Sequence, residues 1–155
     1  MNILLDANVL LRLADPTSKS HAIAAMAVSK LRAQGDTLHL VPQSVYEFWA
    51  VATRPIANNG LGLSVAECMR ELVNVESSFS LLDDKPTLFI EWKAVVTAFG
   101  CHGKVSHDAR YVAAMQTHGV THILSFNGND FLRYPGLVLL DPNTVAASTL
   151  PGNVP

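Results

Sequence analysis

The chain has 155 residues, the size of one domain with room for a core that needs neither disulfides nor a structural metal. Hydrophobic residues make up 49% and charged residues 15%, which excludes a disordered or purely solvating chain. A formal net charge of -2 excludes gripping nucleic acid by bulk charge, so any such partner must meet a local basic patch.

In chain order, Asn2 to Asp6 reads as a short buried strand, and "NVLLRLAD" has apolar residues at helical spacing up to the Asp15-Pro16 break. "HAIAAMAVSKLRAQG" is an Ala-rich helix stopped by Gly35, and "TLHLV" is a second strand halted by Pro42. "QSVYEFWAVAT", Gln43 to Thr53, suits a helix ended by Arg54-Pro55. "IANNGLGLS" then reads as an exposed, mobile loop; it is not a phosphate-binding loop, because no strand precedes it and its lysine is missing. Ser64 and Glu67 form a capping-box pattern that opens the helix "VAECMRELVNVES".

"FSLLD" is a third strand, and "KPTLFIEWKAVVTAFG" a helix ended by Gly100. "SHDARYVAAMQTHG", with Ser106 as its cap and Gly119 as its stop, is another helix; "THILSF" and "LVLL" are the last strands. Nearly continuous apolar strands separated by helical crossovers predict an α/β fold: a three-layer α/β/α sandwich with a mainly parallel sheet of about five strands. Residues 1–155 are expected to form a single domain, with 142–155 a loosely attached tail of prolines and small residues.

No apolar run reaches the length of a membrane span, and no basic segment followed by a cleavable apolar stretch opens the chain. The expectation is a cytoplasmic protein with no membrane partner. Cys68 and Cys101, far apart and without a second pair, read as two reduced, buried thiols.

In an open parallel sheet, ligands bind beyond the carboxyl ends of the strands. Asp6 stands at such an end, although capping the following helix explains its position equally well. Glu47 is the only acid between Asp36 and Glu67, on a helix that is apolar nearly all round. Such an acid needs a partner or a cation, Arg54 being the simplest candidate. Asp108 lies in the first turn of its helix, where the macrodipole favours an acid, and Asp130 follows a strand in a tight Asn-Gly turn. Four carboxylates gathered in one poorly solvated cleft would be protonated or demand a cation, and hard oxygen donors without His or Cys favour Mg²⁺ or Mn²⁺. Phosphodiester hydrolysis is the chemistry such a site performs. His118 and His122 lack the spacing of a metal pair, and His107 reads as a surface residue.

The stretches "LLDANVLL", "VPQSVYEFWAVATRP", "SHDARYVAAMQTHGVTHILSFNGNDF" and "YPGLVLLDP" resemble, in order, the motifs of the PIN-domain family, specifically the VapC-like toxin ribonucleases of bacterial toxin-antitoxin pairs. The resemblance extends to about Pro142. It implies a PIN-like fold and a metal-dependent endoribonuclease that cleaves RNA with Mg²⁺-activated water, leaving a 5′-phosphate and a 3′-hydroxyl. It implies Asp6 and Asp108 as primary Mg²⁺ (or Mn²⁺) ligands, with Glu47 and Asp130 completing the catalytic set. Asn127 stands where many relatives carry an acid and is read as a neutral oxygen donor, while Asn8 and Ser125 are expected to orient the carboxylates. The resemblance also implies a homodimer and a small antitoxin whose C-terminal segment enters or covers the acidic groove. Arg12, Arg54, Lys104, Arg110 and Arg133, close in sequence to the acidic motifs, are the candidate RNA-binding patch. Two other readings stand beside this one: a catalytically silent module that binds RNA or a partner, and a phosphoryl-transfer domain with Asp6 as acceptor, which lacks the lysine it needs at a late strand end.

Overall fold

The computed structural model of the protein describes residues 1–149. Five strands run β1 (Asn2–Leu5), β2 (Thr37–Leu40), β3 (Ser80–Leu81), β4 (His122–Leu124) and β5 (Val138–Leu140). Seven α-helices accompany them: α1 (Ala7–Ala14), α2 (His21–Ala33), α3 (Pro42–Ala52), α4 (Val65–Ser78), α5 (Leu88–Ala98), α6 (Val105–His118) and α7 (Pro142–Ala147). The sheet order is β3-β2-β1-β4-β5 and every strand pair is parallel.

Alternation along β1 explains the three layers. Ile3 and Leu5 face a core built with α1, α2, α3 and α4, whereas Leu4 faces a second core built with α5 and α6. Ile3, Leu4 and Leu5 are each at most 1% exposed, and burying each contributes roughly 1.5–3 kcal/mol. β4 repeats the pattern, with Leu124 on the first face and Ile123 on the second. An apolar run without polar alternation is therefore what a strand covered on both faces requires.

The chain moves outward from β1 to β2 to β3, then returns to lay β4 on the other side of β1. That reversal opens a crevice beyond the carboxyl ends of β1 and β4, where Asp6 and Ser125 follow their strands. Asp6 N–H donates to the Leu124 carbonyl at 3.1 Å, so the two strand ends are locked in register at the crevice.

Several local expectations are corrected. Pro42 does not merely end β2; it is the first residue of α3, where its missing N–H costs nothing. Helix α6 begins at Val105 with Lys104 at the cap position rather than after a Ser106 cap; Ser106 lies inside the first turn, its hydroxyl donating back to the Gly103 carbonyl. β3 shrinks to Ser80–Leu81. Within the expected tail, Pro142–Ala147 is not loose: α7 is capped by Asp141, which accepts from Asn143 N–H at 2.9 Å, and packs on α2, where Lys30 bonds the Ala146 and Ser148 carbonyls. The expected tail from 150 onward lies outside the described residues. Among the described residues no helix is long and apolar enough to cross a membrane. Cys68 is buried and Cys101 half-buried, both free thiols.

The segment expected to be a mobile loop is tied to the end of α3. Leu61 and Leu63 N–H groups donate to the Val51 and Ala52 carbonyls, at 3.2 and 2.9 Å, and both side chains pack on the core. Gly60 passes so close to the α3 terminus that an added Cβ would lie 2.0 Å from the Arg54 carbonyl oxygen. Gly60→Ala is therefore expected to cost about 1–3 kcal/mol and lower the melting temperature by several degrees in calorimetry, since backbone and not a side-chain tip must yield. A melting temperature unchanged from wild type would contradict this account of the loop.

Candidate active site

Asp6 is only 8% exposed and sits at the N-cap of α1, where Asn8 N–H donates to Oδ1 at 3.4 Å. Its other oxygen accepts from Asn8 Nδ2 and from Ser125 Oγ, both at 2.6 Å. Helix cap and cleft carboxylate are thus one arrangement, not alternatives. Asn8 Nδ2 also donates to Ser125 Oγ at 3.0 Å, and Asn8 Oδ1 accepts from Phe126 N–H at 3.1 Å. Ser125 Oγ in turn accepts from Asn127 N–H at 3.0 Å, so Asn8 and Ser125 bind the turn after β4 to the end of β1.

Glu47 is half-buried on α3 and meets no arginine. Gln43 Nε2 donates to its Oε1 at 2.7 Å and Tyr111 O–H to its Oε2 at 3.2 Å. The alternative reading of Glu47, an ion pair with Arg54, which is exposed, does not form among the salt bridges of the described residues. Asp108 lies in the first turn of α6, and Asp130 in a 3₁₀ turn, Gly128–Phe131, closed by its N–H to the Asn127 carbonyl at 3.1 Å.

Asp6, Glu47, Asp108 and Asp130 line one cavity of about 250 Å³, with Asn8, Tyr111 and Asn127 among the other walls. An adjoining recess shares Glu47, Asp108 and Asp130 and adds Lys104 and His107; another shares Asn127 and Asp130 and extends to Asp141. The topology therefore brings together acids spread over nearly the whole chain. Burial pushes Asp6 up to about 6, against the hydrogen bonds from Ser125 and Asn8, with the Glu47 charge adding to the rise. Burial also raises Asp108 to about 6, reinforced by the charges of Asp130, Asp6 and Glu47 and opposed by Arg133. Burial, with Asp6 and Glu47, holds the Tyr111 hydroxyl well above its ordinary range, so it stays a proton donor to Glu47.

The donor set suits a hard divalent cation: every candidate ligand is oxygen, and the crowded carboxylates carry charge that a cation would neutralise. The cage is not preformed, since among the described residues no three His, Cys, Asp or Glu side chains are gathered tightly enough to hold an ion as they stand.

Other expected residues fall differently. Arg133 and Lys104 are exposed and neighbour the acids electrostatically or as lining, whereas Arg12 and Arg54 are exposed and line none of these three hollows. Arg110 is engaged with Asp84 and Gln43. His118 faces the Asp83 carbonyl and His122 its neighbour Thr121, neither lining the cavity. Gln43 and Tyr111 were not singled out by sequence. Gln43 stands one helical turn before Glu47, a spacing that places the two side chains together; nothing in the sequence aims Tyr111 at Glu47.

The chain is thus a parallel α/β/α sandwich with carboxylates gathered in the crevice at its strand-order reversal. The chain belongs to the PIN domain family, whose model matches residues 3–137. Its fold is shared with VapBC2 from Rickettsia felis bound to a DNA fragment from their promoter (15% identity, TM-score 0.67, covering 91% of this chain and 98% of that one). It is likewise similar to VapBC-1 from nontypeable Haemophilus influenzae (14%, 0.67, 92% and 98%) and to Mycobacterium tuberculosis VapC20, a Sarcin-Ricin loop cleaving toxin (14%, 0.59, 83% and 92%). No curated sequence matches the chain significantly.

Asp6 and Asp108 titrate higher in the folded chain than the ordinary 3.8, so the stability of their protonated forms is present below about 4 and lost as pH rises through about 6. His39, pushed down by burial, acts in the opposite sense as pH falls below its ordinary value, so the informative readout is a difference between proteins. In chelator, Asp108→Asn is expected to melt above wild type at pH 7.5 by on the order of 1 kcal/mol, about 2–4 °C after allowing for solvent screening. That advantage should shrink as pH falls below about 6. A variant less stable than wild type at pH 7.5 would contradict the repulsion.

Proposed function

We propose that this chain is a metal-dependent endoribonuclease acting as the toxin of a toxin-antitoxin pair. The observation that carries the reading is the single cavity shared by Asp6, Glu47, Asp108 and Asp130; burial and neighbouring carboxylates raise two of them, Asp6 and Asp108, to about 6. The VapC and VapBC structures that share the fold support it, VapC20 being named as a cleaving toxin, as does a further structure of the same fold, a toxin-antitoxin complex from Klebsiella pneumoniae.

A divalent cation, Mg²⁺ or Mn²⁺, would be held by Asp6 and Asp108 with Glu47 and Asp130. It would supply neutralisation of the phosphodiester charge and a water acidic enough to lose its proton near neutral pH. The protein's part is orientation. Ser125 and Asn8 fix Asp6, Gln43 and Tyr111 fix Glu47, and the α6 backbone fixes Asp108. Asn127, exposed on the cavity wall with its backbone N–H bonded to Ser125, presents an amide to water or metal, and Asp130 fills the fourth acidic position. Arg133 and Lys104, exposed beside the acids, would meet phosphates that the acids alone would repel. Arg12 and Arg54 serve as outer contacts to a longer RNA. The reading further includes one domain over residues 1–155, a homodimer, a small antitoxin that covers the acidic groove, and a cytoplasmic setting.

The loosely spaced carboxylates favour, as a second reading, a catalytically silent RNA- or partner-binding module. Cleavage of RNA by the purified protein with and without Mg²⁺ separates the two. Wild type should cut only with the metal, and Asp6→Asn should lose about 100-fold or more of that rate. Equal cleavage by the two proteins sinks the nuclease reading. Expression of the isolated gene should arrest growth, and normal growth with soluble, active protein would count against the toxin role.

A further inference from the structure

Gln43 is 5% exposed and both ends of its amide are engaged. Nε2 donates to Glu47 Oε1 at 2.7 Å and to the His107 carbonyl at 2.9 Å, so one amide joins the helix bearing Glu47 to the first turn of the helix bearing Asp108. Oε1 accepts from Arg110 Nη1 at 3.3 Å, and Arg110 Nη2 donates to Asp84 in the loop after β3. The Arg110 side chain is 29% exposed, its guanidinium turned to these two partners.

We propose that Gln43 and Arg110 form a polar strut that positions Glu47 and the start of α6, with Arg110 acting through Gln43 rather than on an RNA phosphate. The inference rests on the nuclease reading above. Its physical basis is the asymmetry of an amide. Glu47 and the His107 carbonyl are acceptors only, so Gln43 must face them with its NH₂ end. Flipped, it would set oxygen against a carboxylate and a carbonyl in a buried place. A guanidinium is a donor only, and by holding Oε1 it excludes the flipped state while its charge strengthens the opposite N–H donors. Asp84 keeps the guanidinium in line. Lysine, a single ammonium on a flexible stem, does not reproduce a fork that spans Gln43 and Asp84 together. Glu47 is thereby oriented without a cation at its own oxygens, which leaves its charge for a ligand in the cavity.

The test uses the full chain with Arg110→Met, Arg110→Lys, Gln43→Ala and the Gln43→Ala/Arg110→Met double variant. The readouts are RNA-cleavage kinetics, the salt dependence of RNA binding, and Mn²⁺ binding to RNA-free protein followed by electron paramagnetic resonance. As positioning residues, Arg110→Met and Arg110→Lys should each lower kcat about 10-fold with KM and salt slope unchanged, and should weaken Mn²⁺ binding by a similar factor. The double variant should be no worse than Gln43→Ala alone. A raised KM, a salt slope smaller by about one, unchanged Mn²⁺ binding and recovery by lysine would make Arg110 a phosphate ligand and overturn the strut. Additive losses, or variants indistinguishable from wild type, would overturn it equally. Arg110→Met keeps the aliphatic stem and carries the test even if Gln43→Ala does not fold. Wild type that neither cuts RNA nor binds Mn²⁺ brings down the nuclease reading itself; active wild type with unaffected variants brings down the strut alone.

Discussion

The hydrogen bond from Ser125 Oγ to Asp6, 2.6 Å long and buried, joins two strand ends that are 119 residues apart in sequence, and the rest of the crevice is arranged around it. It exists because β1 and β4 are covered on both faces and paired in parallel, which leaves no freedom to slide either end. Asn8 closes the triangle and carries the constraint into the turn that bears Asn127 and Asp130. A carboxylate on a mobile loop would relax away from its neighbours. Here it is held in a buried place, and burial raises its pKa even though the hydrogen bonds that hold it pull the other way.

The supports around the acids are mostly neutral. Asp6 is met by a hydroxyl and an amide, Glu47 by an amide and a phenol. Each satisfies lone pairs without cancelling charge, so the cavity retains a negative potential that internal ion pairs would have quenched. The cations instead stand back, Arg110 against Asp84 and Arg133 at the rim. Such an arrangement is costly to the fold, because the carboxylates repel one another.

Much of this was legible from residue order. The apolar "NILL", the Ser64–Glu67 capping box, and the glycine stops at Gly35, Gly100 and Gly119 all act through local chemistry, and all appear where spacing places them. Asp6, Glu47, Asp108 and Asp130 became candidates because each stands near a strand's carboxyl end, at a helix start or on an apolar helix, although a cap, a first-turn acid and a tight turn explain Asp6, Asp108 and Asp130 locally as well. What escaped was non-local. The Gln43 bridge from Glu47 to the His107 carbonyl, the Tyr111 hydroxyl on Glu47 and the diversion of Arg110 to Asp84 depend on helices packed from distant parts of the chain. The loop "IANNGLGLS" looked mobile by composition, yet its leucines pack on the core and its glycines permit close backbone approach.

The sequence by itself determined the layers and the candidate acids, because hydrophobic periodicity and capping are properties of neighbouring residues. It also determined that any cation bound there must be a hard one, since the donors are all oxygen. Only the tertiary structure decided that the acids share a single cavity, which arginine faces them and which is spent elsewhere, and that their supports are neutral. Those outcomes follow from the strand order: β4 returning to the far side of β1 sets the ends of distant segments side by side, and no local rule encodes that meeting.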